Sequence, residues 1–215
     1  MSKALFLFIF ASCVFGQAKA APAAGAAPAP VMIEIADVDR ASVDAIKTKL
    51  DEFAHDDNVS EVWLRINSHG GEVDAGLELI QAFDHYKKPL TCVVDVKAWS
   101  MGMSILEGCP HRVMTRRSTL MMHEVLVQTA SGNAHDLADT ASAVRAMTES
   151  LIQIAAGRMH LTANDIRAHI AGKQWWIDVE EALDVGAIDA IVSPADIPPL
   201  TELPKAPTLL ELLGG

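Results

Sequence analysis

"SEVWLRINSHGGEVDAGLELIQAFDHYKK", residues 60–88, contains one change of hydrophobic period. Up to Ile66 the apolar residues alternate (Val62, Leu64, Ile66), which is the pattern of a half-buried strand. From Ala75 the apolar spacing becomes helical and runs to Lys88, where Pro89 stops it. Between the two lie Ser68, His69, Gly70 and Gly71. The paired glycines let the backbone turn and approach a ligand closely. A strand running through a glycine turn into a helix is the building unit of a parallel sheet.

The same alternation extends outward. "VMIEIADV" (31–38) reads as a strand, and "ASVDAIKTKLDEFAHD" (41–56) carries a helical stripe at 43, 46, 50 and 53. "LTCVVDVKA" (90–98) is a buried strand by its continuous apolar run, and "MGMSILEG" (101–108) starts a helix. "HRVMT" (111–115) and "STLMMHEV" (118–125) are short strand candidates. A long helix follows over 134–159, with apolar residues at 137, 141, 144, 147, 151, 154 and 155. That stripe is longer than one core needs, so part of it is expected to face another subunit. Residues 161–170 read as a helix opened by Thr162 and Asn164, and 175–192 as a turn, a short helix ended by Gly186 and a last strand. The expected fold is an α/β domain with a largely parallel sheet over 31–193. No internal repeat is visible.

The flanks differ. Lys3 precedes "ALFLFIFASCVFG", thirteen apolar residues, fewer than the about 20 that span a bilayer as a helix. With Ala18-Lys19-Ala20 after it, this reads as a secretory signal peptide (1–20) cleaved after Ala20. An uncleaved anchor and a lipoprotein signal at Cys13 are the alternatives. The expected location is secreted or periplasmic. "APAAGAAPAP" (21–30) reads as a flexible tether, and the proline-rich tail (194–215) excludes a regular element. "TLLELLGG" (208–215) either docks or stays disordered.

The chain of 215 residues has a formal charge of −11, and loss of Lys3 and Lys19 with the leader makes it two units more negative. An acidic chain without a basic cluster is a poor partner for nucleic acid or anionic membrane. Its histidines are scattered and no Cys/His cluster has metal-ligand spacing, so neither a metal nor a cofactor is expected. After cleavage Cys92 and Cys109 remain, as one disulfide or two buried thiols. Spacing alone does not decide which.

"AWSMG" (98–102) puts Ser100 where a strand meets a helix. There its hydroxyl would stand above the sheet, with the Met101 N–H aimed at the same spot. A serine capping an apolar helix is the common alternative. "MMHE" (121–124) offers His123, whose imidazole can accept a serine proton near neutral pH. Glycine-turn amides can supply a second oxyanion donor.

Taken in order, "INSHGGEVDAG" (66–76), "AWSMG", "MMHE" and "EEALDVGAIDAIV" (180–192) resemble the proteolytic subunit of the Clp protease. The resemblance covers roughly 31–193. It implies a ClpP/crotonase-like spiral of βαβ units with a long protruding handle helix, here 134–159. It also implies Ser100 as nucleophile, His123 as base, and the Gly71 and Met101 amides as oxyanion hole. The implied activity is a serine endopeptidase acting on peptides or unfolded proteins, assembled as a homo-oligomeric ring. In an exported chain no ATP-driven unfoldase is expected, and activity would be ATP-independent.

The chain departs from the family pattern at four places. His69 replaces a proline, Trp99 replaces a small residue before the nucleophile, and Glu124-Val125 replaces Gln-Pro. At the third triad position the alignment gives His169, with Asp165 and Asp178 nearby. Loss of the acid removes tautomer control and imidazolium stabilisation. The alternative function is therefore a non-catalytic assembly or peptide-binding protein of the same fold. A Ser–Lys dyad would require Lys97, three residues before Ser100.

Overall fold

The computed structural model describes residues 27–127 and 131–200. The leader, most of the Ala/Pro segment and the end of the tail lie outside the described residues. β1 (Ala29–Ile35), β2 (Val59–Ser68), β3 (Leu90–Trp99), β4 (His111–Thr115) and β7 (Ala190–Val192) form a parallel sheet in the order β1-β2-β3-β4-β7. β3 is shared. Its first half (Thr91–Val94) pairs β4, and its end (Lys97–Trp99) pairs β5 (Thr119–Met122) in parallel. β6 (Trp175–Ile177) adds to β5 antiparallel. The expected α/β architecture with a mostly parallel sheet is what the chain adopts.

The helices are α1 (Arg40–Ala54), α2 (Val73–His85), α3 (Met101–Gly108), α4 (Ala134–Ala156), α5 (Ala163–Ile170) and α6 (Val179–Asp184). Their starts are set by side-chain caps. Asp39 accepts from the Ser42 N–H, and Asn133/Asp136 and Thr162/Asp165 form capping boxes. One apolar cluster joins Val43, Leu50, Leu64, Ile66, Leu79, Met103 and Leu106 with Ile152 and Ile166. α2 lies tight on α3, because a Cβ at Gly76 or Gly108 would run into Met101 or Ile80.

Some bounds differ from the sequence reading. β1 begins at Ala29, inside the supposed tether; as an edge strand it tolerates the missing N–H of Pro30. Residues 175–177 form a strand instead of a turn, since alternate burial of Trp175 and Ile177 suits the edge of β5. α4 ends at Ala156, and Pro194–Asp196 forms one 3-10 turn. Only the last part of α4 is buried, at Leu151, Ile152 and Ala155, while Leu137 is 44% exposed.

Two buried features brace β3 and β4. Cys92 in β3 and Cys109 after α3 are paired as a disulfide, their Cα atoms 6.0 Å apart. Arg112 in β4 donates to Glu107 (2.7 Å), to the Gly186 carbonyl (2.9 Å) and to Asp189 (2.7 Å). Burial pushes the Glu107 carboxyl up to about 8, against the opposing pull of Arg112.

Candidate active site

Three segments leave the carboxyl ends of neighbouring parallel strands: 69–71 after β2, Ser100 after β3 and His123 after β5. In open α/β sheets that edge is where ligands bind.

Ser100 has φ 54° and ψ −123°, the sole positive φ of a non-glycine among the described residues. Such a conformation costs about 1–3 kcal/mol and persists only where its surroundings enforce it. Its N–H donates to the Met121 carbonyl (2.7 Å), and its carbonyl accepts from Met103 (3.0 Å) and Ser104 (3.3 Å). Its hydroxyl makes no cap to α3, which removes the ordinary reason for a serine at a helix start. The arrangement is a sharp strand-to-helix turn, of the kind that lifts a nucleophile's hydroxyl above a sheet.

Gly70 and Gly71 divide two tasks. A Cβ at Gly70 (φ +101°) would lie 2.8 Å from Ser100 Cβ and 3.0 Å from Met101 N, so only glycine lets this loop lie against the serine. A Cβ at Gly71 (φ +151°) would overlap the Val38 carbonyl. The loop is pinned there: Val38 N–H donates to the Gly70 carbonyl (3.2 Å), and Glu72 N–H to the Val38 carbonyl (2.6 Å). Among the described residues neither the Gly71 N–H nor the Met101 N–H has an acceptor. An unused donor next to a strained serine, and a second in the glycine loop that packs on it, are of the kind that receives a developing oxyanion.

His123 is half-buried, and its Nδ1 bonds the carbonyl of Glu124. A carbonyl only accepts, so Nδ1 is the donor in this bond, and in the neutral ring that leaves Nε2 as the acceptor. The Glu124 carboxylate in turn accepts from the Gly172 N–H (3.2 Å), and the Val125 N–H donates to Thr148 Oγ1 (3.1 Å). The segment carrying His123 is thus tied to the α5–β6 turn and to α4.

None of the three sequence candidates for the third position hydrogen-bonds His123. Asp165 accepts from Thr162 N–H (2.9 Å) and Oγ1 (2.6 Å), bonds that hold its carboxyl below the usual carboxylate range. Asp178 caps α6 through Glu180 N–H (3.0 Å) and Glu181 N–H (2.9 Å). His169 stacks on Trp175 with centroids 4.2 Å apart; Trp175 pairs Met122, the residue before His123. The Nδ1 partner is main chain, which leaves no mark in a sequence.

Trp99 donates from Nε1 to Thr119 Oγ1 (3.0 Å) and meets His69 and Trp176 edge-on, each at 5.0 Å. Lys97 Nζ bonds His69 Nε2 (3.0 Å), not Ser100. The sequence reading did not single out Trp176; its pairing with Met121, the neighbour of Trp99 across the sheet, brings it in. Among the described residues no group of three or more His, Cys, Asp or Glu side chains is placed to hold a metal.

The model of the family described as Clp protease matches residues 30–195. The chain belongs to the Clp protease family. It is 29% identical over 139 residues to the ATP-dependent Clp protease proteolytic subunit of Streptococcus uberis, covering 63% of this chain and 70% of that one. The subunit of the same name from Leuconostoc citreum is 29% identical over 149 residues, 68% and 74% of the two chains. That of Lactococcus lactis subsp. lactis is 28% identical over 139 residues, 63% and 69%. Clp-family membership and the mostly parallel α/β fold together support a protease.

Proposed function

We propose that the chain is a serine endopeptidase that cleaves peptides or unfolded proteins through an acyl-enzyme. The observation that carries this reading is the strained Ser100, with the glycine loop packed against it at Gly70 and the following Met101 amide unused. In the proposed mechanism Ser100 Oγ attacks the scissile carbonyl as His123 Nε2 takes its proton. The Gly71 and Met101 N–H groups receive the oxyanion. His123 returns the proton to the leaving amine, and a water then hydrolyses the acyl-enzyme by the same base. The Glu124 carbonyl holds the tautomer but brings no full negative charge, so the imidazolium is stabilised less than by a carboxylate.

The leader sequence supports an exported, ATP-independent enzyme, and the exposed half of α4 supports assembly into a homo-oligomeric ring. The test is degradation of an unfolded protein by the purified full chain without ATP. Loss of activity in both Ser100→Ala and His123→Ala is expected. An intact substrate at every enzyme concentration would favour the non-catalytic reading, which the missing carboxylate at His123 also favours.

A further inference from the structure

His69 and Trp99 are separate departures from the family pattern in the sequence, and in the fold they touch. With Lys97 and Trp176 they make one cluster, linked by the Lys97–His69, His69–Trp99 and Trp99–Trp176 contacts. Lys97 Nζ lies 5.3 Å from the Trp99 ring centroid and gives one hydrogen bond, to His69. An ammonium has three donors, so two remain. No carboxylate lies within 4.0 Å of Lys97 among the described residues, whereas Arg40 and Arg65 each have one such partner and Lys47 and Arg112 two. Lys97 is thus a cation held against an aromatic ring with donors to spare, which an incoming anion can take up. In a chain of net charge −11 an acidic ligand is repelled elsewhere, so a local cation matters more here.

The cluster adjoins the serine by covalent neighbours. Trp99 precedes Ser100, and His69 precedes the Gly70 whose Cα faces Ser100. Trp176, 49% exposed, forms the outer wall. We infer that Lys97, His69, Trp99 and Trp176 form a subsite for a substrate carboxylate next to the scissile bond. The carboxylate is an acidic side chain or a peptide C-terminus. Lys97 supplies the charge, His69 fixes the ammonium, and the indoles exclude water from the pair. The inference rests on Ser100 marking the place where the peptide binds.

The test is binding of fluorescent peptides to the full-length Ser100→Ala chain, read by anisotropy, so that it does not depend on turnover. Two peptide pairs are used, Glu against Gln at each position in turn, and free C-terminus against C-terminal amide. The expected result is that the carboxylate member of one pair binds about tenfold tighter. The Glu/Gln pair identifies a side-chain carboxylate and the acid/amide pair a terminal one. Adding Lys97→Gln is expected to erase the difference and Lys97→Arg to retain it, with melting curves showing that both variants fold. Equal affinity within both pairs, or a difference that survives Lys97→Gln, would overturn the subsite. Failure of the acyl-enzyme reading would appear separately, as a wild-type chain that binds selectively and cleaves nothing.

Discussion

Ser100 holds the backbone in a region that glycine prefers, so the role proposed for it and stability oppose each other at this residue. Ser100→Gly is predicted to raise unfolding free energy by about 1 kcal/mol, read by thermal or urea denaturation, while abolishing peptide cleavage. Gly70→Ala works the other way. A methyl 2.8 Å from Ser100 Cβ at φ +101° is predicted to cost about 1–3 kcal/mol and to reduce activity by displacing the serine. The serine, the histidine and the glycine pair of the candidate site were legible in the sequence, since each has its own residue type at a junction. The partner of His123 was not, because a backbone carbonyl has no letter. Asp165 and Asp178 looked available, yet both are consumed as helix caps. The contact of His69 with Trp99 was equally invisible, being set by strand register.

β3 and α3 are the elements that present Ser100, and the Cys92–Cys109 disulfide ties the start of one to the end of the other. Their sequence separation is 17, for which loop closure predicts a loss of about 3 kcal/mol on removing the bond. Cys92→Ser with Cys109→Ser should therefore lower the melting temperature, and a reductant should lower that of the wild type but not of the double variant. An unchanged wild-type melting point in reductant would show that the bond is absent in solution. The strands and helices around this unit were legible, because β2 alternates with period two and β3 is apolar throughout. β6 was not, because three residues carry too little period to distinguish a strand from a turn, and its pairing with β5 is tertiary.

For the molecule as a whole, the parallel sheet fixes where chemistry can occur, by bringing the ends of β2, β3 and β5 to one edge. Strand order and sharing of β3 between β4 and β5 were not in the sequence; only the alternation of elements was. Stability of the whole chain also has a legible pH dependence. Glu107 is 1% exposed, and its Oε1 has no hydrogen-bond partner among the described residues. The folded chain holds its proton up to about 8, against an ordinary value of 4.5. Its contribution is full below 4.5 and is lost as pH rises through about 8. Denaturation across that window should show stability declining with pH in the wild type and a flatter profile in Glu107→Gln, which mimics the protonated acid.

The central claim is that Ser100 is an activated nucleophile. Intact mass of the full chain after exposure to a fluorophosphonate, followed by peptide mapping, tests it most directly. One adduct per chain on Ser100, absent from Ser100→Ala and slowed in His123→Ala, is the predicted result. A chain that stays unmodified from pH 6 to 9 would contradict it.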